Sequence, residues 1–288
     1  MRIWVSWFLS IMILSTAATA AAAEEKTQAP PWWWDEAWWT AGVLEDAKNH
    51  AVETRWVSYR NGDTEIPALI ARPKGAGKYP GVLFAHGRRG LDELTQPLAV
   101  RLAARGFVVF APDLYAGRFI EPFPIEHDYK VEDDLNKGLD AFLALPDIRG
   151  RKVCTVGVSR GGYYALKLAT TKGRQEAAVA CYVAYYPHMQ DPNAPEPAQV
   201  YQYAAEVDQL TIPVLVFVGE QEQYHRKRAI ESAVNSLKLN GKPALLIEYP
   251  GVGRGFDFRG MNVRTFADDL AAKDAMRRAA GFLRKHLE

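Results

Sequence analysis

The chain has 288 residues, of which 48% are hydrophobic and 24% charged, a composition typical of a globular protein with one large domain. Its formal net charge of +1 gives no reason to expect binding to nucleic acid. The 6 histidines are scattered, and the sequence contains neither an H-E-x-x-H or C-x-x-C metal-ligand pattern nor a glycine-rich phosphate loop, so we expect no metal and no cofactor.

Residues 1–23 have the features of an export signal. Arg2 gives a positive start, residues 3–14 are apolar, and small residues follow with A-x-A sites that end at Ala20 or Ala23. We predict that this signal is cleaved and that the protein is exported to the periplasm or the medium. The alternative is an uncleaved anchor, because residues 3–23 are just long enough to span a bilayer, although their apolar core is short for that role.

Residues 24–52 form a tryptophan-rich segment ahead of the main domain. Trp34 and Trp38 are four positions apart, so a short helix would place both rings on one face. We predict an N-terminal flap whose rings pack on the domain. The alternatives are contact with a membrane surface, a sugar platform or a partner surface, and the sequence does not choose among them. The five rings are those of Trp32, Trp33, Trp34, Trp38 and Trp39.

Residues 53–288 are predicted to form a single α/β domain. A hairpin over residues 55–72 turns at Asn61-Gly62-Asp63, and strands then alternate with amphipathic helices. This alternation predicts a mostly parallel sheet with helices on both faces and an antiparallel hairpin at its start. The loops that follow the strands of such a sheet lie along one edge, where sites form. The predicted strands are 81–86, 107–112, 153–158, 177–186, 213–219 and 244–249, and the predicted helices are 94–105, 131–145, 161–171, 226–239 and 263–287.

Two cysteines, Cys154 and Cys181, fall in predicted buried strands. An exported protein can keep a disulfide, and a bridge could form if these two strands are neighbours. We favour two separate buried thiols, because cysteine often occupies buried positions as a small hydrophobic residue.

Residues 153–162 carry the most informative motif of the chain. Gly157, Ser159 and Gly161 fit G-x-S-x-G, in which a strand turns so sharply into a helix that the serine side chain projects outward. Only glycine leaves room for neighbouring chain at the flanking positions. The N terminus of the following helix would point N–H groups at a developing oxyanion. We predict Ser159 as a nucleophile, and the alternative is a glycine-rich turn without chemistry.

Other loops at the same edge carry polar residues that suit such chemistry. In the loop over residues 86–90, we expect the Arg88 N–H to act with the Arg160 N–H as a pair of oxyanion donors. The alternative is a tight turn with solvated arginines. Glu222 follows a later strand in the order serine, acid, base, and it is the predicted acid unless it is an exposed loop residue. The base should lie in the loop over residues 250–256.

Over residues 55–287 the chain resembles the dienelactone hydrolase family of the α/β-hydrolase superfamily. The resemblance implies an α/β-hydrolase fold and hydrolysis of carboxylic esters or lactones without a cofactor. Ser159 stands where the family often has cysteine, Glu222 where it usually has aspartate, and Arg254 where it has the catalytic histidine. The matching stretches are 86–87, 111–115, 157–162, 185–187, 219–222 and 250–256.

Arg254 leaves the base unassigned, because arginine keeps its proton at ordinary pH and cannot accept one from Ser159. One interpretation is that another histidine serves. A second is a catalytically impaired hydrolase, in which Arg254 pairs with Glu222 and the pocket binds an anionic ligand or a protein partner. A third is a weak serine activity on a very reactive ester or lactone. The alternative bases are His188 and His225, followed by His86 and His127.

Arginines are frequent in the loops around the predicted site. They suggest an anionic substrate or ligand, such as a carboxylate that accepts two hydrogen bonds from one guanidinium. The alternative is solvated surface arginine. Tyr115, Arg118 and Arg259 are further candidates for substrate binding. We therefore predict a hydrolase whose partner is its substrate, a small anionic ester or lactone. The arginines expected nearest to the site are Arg88, Arg89, Arg160 and Arg254.

Overall fold

The computed structural model describes residues 29–288, and the predicted export signal lies outside the described residues. The strands in this range are β1 (Val52–Asn61), β2 (Thr64–Pro73), β3 (Tyr79–Ala85), β4 (Val108–Pro112), β5 (Ile148–Val158), β6 (Val179–Tyr185), β7 (Val214–Gly219) and β8 (Ala244–Tyr249). The α-helices are α1 (Glu36–Ala41), α2 (Gln96–Ala104), α3 (Lys130–Leu143), α4 (Arg160–Ala169), α5 (Glu196–Tyr201), α6 (Tyr224–Leu239) and α7 (Phe266–Leu287).

These strands form one sheet in the order β1-β2-β4-β3-β5-β6-β7-β8. β2 pairs with β1 and with β4 in antiparallel fashion, and the remaining neighbours are parallel. The hairpin between β1 and β2 turns tightly, with Asn61 opposite Thr64 and Gly62 at a φ of 58°. The predicted hairpin and the predicted parallel sheet are therefore confirmed.

Apolar side chains cover both faces of the sheet. Every residue of β4 and β7 is buried, as expected for strands between two helical layers. α3, α4 and α6 pack on one face with residues such as Leu135, Leu166 and Ile230. α2 and α7 cover the other face with residues such as Leu102 and Met276. Because both faces are closed, the polar loops meet at the carboxyl edge of the parallel strands.

The tryptophan-rich segment packs on this domain, and Trp32–Glu288 form one compact unit. Trp38 is 1% exposed, so its ring belongs to the core. The guanidinium of Arg101, on α2, lies 4.9 Å from the ring centre of Trp38 and 4.7 Å from that of Trp39. These contacts agree with the predicted flap.

One detail of that prediction is wrong, because α1 starts later than expected. Asp35 is its N-cap and accepts a hydrogen bond from the Trp38 N–H, so Trp34 precedes the helix. Trp34 does not share a helical face with Trp38. Its ring packs instead against that of Trp39, with 5.4 Å between ring centres.

Cys154 and Cys181 form a disulfide, so the prediction of two separate thiols is wrong. β5 and β6 are neighbours, and the parallel register places the two residues directly opposite each other with 4.7 Å between their Cα atoms. Both residues are fully buried.

Among residues 29–288, every helix is too short or too polar to cross a membrane.

Candidate active site

Ser159 lies at the sharp turn between β5 and α4, where the sequence predicts it. Its backbone has a φ of 56°, which is rare for a residue with a side chain. A Cβ atom on Gly161 would lie 2.0 Å from the Ala85 carbonyl oxygen, and one on Gly157 would lie 2.6 Å from the Gly161 carbonyl oxygen. The two glycines of the motif are therefore required by close packing around the turn.

The loop after β3 packs directly on this turn. A Cβ atom on Gly87 would lie 3.0 Å from the Ser159 Cβ, so the main chain of this loop passes close to the serine. The Arg88 N–H follows in this loop, and the Arg160 N–H begins α4. Within the described chain neither N–H has a hydrogen-bond partner. Both are free to donate to an oxygen bound beside Ser159.

His86 fixes the shape of this loop. Its Nε2 accepts a hydrogen bond of 3.0 Å from the Leu114 N–H, so Nδ1 carries the proton and donates to the Gly87 carbonyl oxygen at 2.8 Å. Burial lowers the pKa of His86, which keeps the ring neutral. Both ring nitrogens are occupied, so the structure does not offer His86 as a base.

Arg254 occupies the position where the family pattern has its histidine. Its Nη2 donates a hydrogen bond of 2.7 Å to Oγ of Ser159, and its Nη1 donates one of 2.8 Å to Oε2 of Glu222. The Glu222 side chain is fully buried, which excludes the alternative of an exposed loop residue. The guanidinium also lies 5.1 Å from the ring centre of Tyr186. Three side chains thus form a chain of contacts from carboxylate to guanidinium to hydroxyl.

Of the candidate histidines, His188 is the one that lines the same pocket as Ser159. It follows β6, its N–H donates a hydrogen bond of 2.8 Å to the Ser159 carbonyl oxygen, and it is 4% exposed. Burial lowers the pKa of His188 well below its usual range, and neighbouring arginines lower it further. These arginines are Arg226, Arg254, Arg160 and Arg88.

The other two histidines are not placed at the pocket. His225 is half-buried at the start of α6, and its carbonyl oxygen accepts a hydrogen bond from Gln190. His127 is buried, with Nε2 2.9 Å from Oε1 of Glu132 and its ring stacked on that of Tyr164. Neither residue is among those that line the pocket of Ser159.

Ser159 opens onto a pocket of about 310 Å³ whose charged lining is entirely positive. Four arginines line it, and among the described residues no carboxylate does. The lining residues are Gly87, Arg88, Arg89, Thr95, Phe123, Val158, Ser159, Tyr186, His188, Gln223, Arg226, Arg254 and Phe258.

Arg226 is a charged pocket residue that was not predicted from the sequence. It lies in the first turn of α6, and its Nη1 donates a hydrogen bond of 3.0 Å to Oε1 of Gln190. Burial and the nearby charges of Arg254 and Arg160 lower the pKa of Arg226 to about 10. Within the described chain it has no carboxylate within salt-bridge distance, unlike Arg254, which pairs with Glu222. Its position four residues after Glu222, in the same loop-to-helix segment, is the feature of the sequence that could have indicated its place in the pocket.

Two predicted arginines mainly hold a loop. Arg88 donates through Nε and Nη2 to the carbonyl oxygens of residues 124 and 123, at 2.9 and 2.6 Å. Arg160 donates through Nη1 and Nη2 to those of residues 126 and 125, both at 2.9 Å. Four successive carbonyl groups are therefore bound by two side chains. Arg88 still lines the pocket, whereas Arg160 lines a separate cavity with Tyr115 and Tyr164.

Three residues predicted to bind substrate lie elsewhere. Arg118 forms an ion pair with the fully buried Asp134 on α3. The Tyr115 hydroxyl lies 2.9 Å from the hydroxyl of Tyr164, behind the pocket. Arg259 donates to the Arg254 carbonyl oxygen at 3.0 Å and so supports the loop that carries Arg254. None of the three lines the pocket in the described chain, so their prediction as substrate ligands is not supported by their placement.

Residues 29–288 contain no group of three or more histidine, cysteine, aspartate or glutamate side chains that could hold a metal ion.

Comparison with known proteins places the chain in a family. The model of the dienelactone hydrolase family matches residues 66–287. A proposed carboxymethylenebutenolidase of Synechocystis sp. is 27% identical over 226 residues, which cover 71% of this chain and 87% of that protein. A proposed 2-oxo-3-(5-oxofuran-2-ylidene)propanoate lactonase of Bradyrhizobium sp. is 25% identical over 244 residues, which cover 81% of this chain and 94% of that protein.

Solved structures share the fold at lower identity. A proposed dienelactone hydrolase from Klebsiella pneumoniae superposes with a TM-score of 0.64 at 21% identity, covering 82% of this chain and 100% of that one. A brefeldin A esterase superposes with a TM-score of 0.65 at 19% identity, covering 87% of this chain and 82% of that one. The predicted α/β-hydrolase fold is confirmed, and the chain belongs to the dienelactone hydrolase family.

Proposed function

We propose that the protein hydrolyses carboxylic esters or lactones, with Ser159 as the nucleophile. The observation that carries this proposal is the position of Ser159. It lies on a sharp strand-to-helix turn, faces a pocket of about 310 Å³, and has the unpartnered N–H groups of Arg88 and Arg160 beside it. Oriented N–H donors next to a nucleophile are what acyl transfer requires, because negative charge develops on the carbonyl oxygen during attack.

The reaction would follow the usual course of a serine hydrolase. Oγ of Ser159 attacks the carbonyl carbon, and the two N–H groups hold the resulting oxyanion. The alcohol then leaves, and water releases the acyl group from the serine. Arg254 is a hydrogen-bond donor to Oγ and stabilises negative charge there, and Glu222 holds Arg254 in place.

We further propose that the substrate carries a negative charge. Four arginines line the pocket without a carboxylate among the described lining residues, and the nearby Glu222 forms its salt bridge with Arg254 and not with Arg226. A carboxylate on the substrate would supply an acidic partner for Arg226. The name of the Bradyrhizobium sp. relative, which denotes a propanoate that contains an oxofuran ring, is consistent with such a substrate.

A second candidate function is binding without catalysis. It is favoured by the hydrogen bond from Arg254 to Ser159, because a guanidinium cannot accept the serine proton. In this case the arginine-lined pocket would hold an anionic ligand or a protein partner. Without a base, the oxyanion donors and substrate binding alone leave an acceleration on the order of 10³–10⁴ over water.

Labelling with a fluorophosphonate probe separates the two candidates. We would compare the wild type with Ser159→Ala and Arg254→His. Hydrolysis by an activated serine predicts rapid labelling of the wild type that is lost in Ser159→Ala. A silent wild type together with a labelled Arg254→His variant would favour the binding protein, because the scaffold would then lack only its base. Silence in all three proteins would contradict a working serine at this turn.

We also propose that the protein is exported. The Cys154–Cys181 disulfide supports export, because disulfides persist in oxidising compartments and are rare in the reducing cytosol. Fractionation of expressing bacteria by osmotic shock tests this proposal. Recovery of the protein without residues 1–23 in the periplasmic or medium fraction is expected, and recovery in the cytosol at full length would contradict it.

A further inference from the structure

We propose that His188 is the general base that accepts the proton of Ser159, and that an anionic substrate strengthens this base when it binds. The inference rests on the proposed hydrolase function. It assigns to a residue after β6 the task that the family pattern gives to position 254.

The first argument concerns the direction of the hydrogen bonds at Ser159. Oγ accepts a hydrogen bond from Nη2 of Arg254, and this is its single hydrogen bond within the described chain. A hydroxyl group that accepts in this way keeps its own proton for another acceptor. The proton of Ser159 is therefore available to a group in the pocket.

The second argument concerns which group can take that proton. The charged residues that line the pocket in the described chain are arginines, and these are donors without an acceptor. The hydroxyl of Tyr186 donates a hydrogen bond to Asp257. Burial raises its pKa well above the usual value, so it keeps its proton and cannot act as a base at physiological pH. His188 is the remaining titratable residue of the lining, and neutral imidazole is the usual proton acceptor for serine.

The third argument concerns position. The hydrogen bond of 2.8 Å from the His188 N–H to the Ser159 carbonyl oxygen ties the two residues together through their main chains. Nδ1 of His188 is enclosed without a partner, which leaves Nε2 for the serine. We infer that a hydrogen bond from Oγ to Nε2 forms when substrate binds, since hydrogen bonds at catalytic sites are often long or absent in the unliganded protein.

The proton then follows a closed cycle. It moves from Oγ to Nε2 of His188 as the bond between Oγ and the carbonyl carbon forms, and the π electrons of the carbonyl move to its oxygen. When the tetrahedral intermediate collapses, the imidazolium returns the proton to the departing alkoxide. Water repeats both steps on the acyl-serine, with His188 first accepting and then returning a proton.

The fourth argument concerns charge. Burial is the main factor that lowers the pKa of His188, and the surrounding arginines, Arg226 foremost, lower it further, so without a bound anion His188 is neutral and a weak base. A carboxylate bound at Arg226 cancels part of this positive charge and makes protonation of His188 easier. An anionic substrate would therefore raise the basicity of His188, whereas a neutral ester of the same size would not.

Probe labelling tests the assignment of the base. Against the wild type and Ser159→Ala, we would measure labelling rates of His188→Gln and, as a matched control, His225→Gln. We expect His188→Gln to lose about 10²- to 10⁴-fold in rate, the usual contribution of a general base, and His225→Gln to match the wild type. The double variant His188→Gln with Arg254→His should regain labelling, which would show that His188→Gln leaves the fold intact.

The outcomes separate this inference from the function on which it rests. Labelling that requires Ser159 but is unchanged in His188→Gln would overturn the inference alone. A wild type no more reactive than Ser159→Ala would overturn the hydrolase function and the inference together.

A pair of substrates tests the role of the negative charge. We would measure pH profiles with the nitrophenyl monoester of succinic acid and with nitrophenyl butyrate. The profile of kcat/KM reports the free enzyme, and that of kcat reports the complex. For the succinate ester we expect the pKa in kcat to lie above that in kcat/KM, and for the butyrate we expect the two to coincide. Coincidence for both substrates would overturn the proposed effect of charge.

Discussion

Arg254 donates a hydrogen bond of 2.7 Å from Nη2 to Oγ of Ser159. At this position the family pattern expects a histidine that would receive the serine proton. The arginine reverses the direction of the contact, because a guanidinium gives hydrogen bonds and does not accept them. The pair can stabilise negative charge on Oγ but cannot generate it, and the source of the base becomes the central question of this site.

Replacement of Glu222 by glutamine should destabilise the protein. The fully buried carboxylate accepts a hydrogen bond of 2.8 Å from Arg254, and glutamine would leave the guanidinium without its counterion. We expect a loss of about 1–3 kcal/mol in the free energy of unfolding, at the low end of values for broken buried pairs because Arg254 is 25% exposed. Urea unfolding measures it. Glu93→Gln, at an exposed position, is the control, and equal stability of both variants would contradict the prediction.

Replacement of Arg226 by glutamine should weaken the binding of carboxylates. Succinate is expected to raise the melting temperature of the wild type in a concentration-dependent manner, because a ligand that binds the folded state stabilises it. The variant should need about tenfold more succinate for the same shift, as expected from loss of a charge-assisted hydrogen bond. The control is Arg228→Gln, two positions away and exposed. A similar response in both variants would count against Arg226 as the anion ligand.

The buried neutral His188 should make stability depend on pH in a defined direction. Its pKa is lowered in the folded state, so the unfolded chain binds more protons once the pH falls below about 6.5. The stabilisation is therefore complete above that pH and is lost below it, by at most about 1.4 kcal/mol for each pH unit for one group. Urea unfolding at several pH values should give a shallower acid decline for His188→Gln than for the wild type. The same pH dependence of the free energy of unfolding in both proteins would contradict the prediction, because it would mean that protonation of His188 does not destabilise the folded state.

Loss of the disulfide should lower stability markedly. Cys154 and Cys181 are 27 positions apart, and a loop of this length corresponds to about 3–4 kcal/mol in the chain-entropy model. We expect the double variant with alanine at both positions to show this loss in urea unfolding, together with a smaller cost for the vacated volume. Thiol titration of the unreduced, denatured wild type is the direct check. Two reactive thiols there would show that the bridge is absent.

The fold was predictable because the relevant signals are local. Apolar strands that alternate with amphipathic helices, and glycines at the turn around Ser159, are visible in the sequence. The placement of the other residues depends on contacts between distant parts of the chain, which a sequence does not display. Arg118 is bound by Asp134 on α3, and the register of β5 against β6 decides that Cys154 meets Cys181. The inward orientation of Arg226 depends on how α6 is rotated on the sheet, which its sequence position alone does not define.

Arg88 and Arg160 each serve the pocket in two ways at once. Their main-chain N–H groups are the proposed oxyanion donors, and their side chains hold the four carbonyl groups of residues 123–126. Phe123 lines the pocket, so the loop that forms part of the pocket wall and the proposed oxyanion donors depend on the same two residues. A bulky acyl group that displaced this loop would also displace the oxyanion donors. In the proposed hydrolase this coupling would limit the size of the acyl group, and enlarging the pocket by engineering would require new hydrogen bonds for this loop before any change to the lining residues.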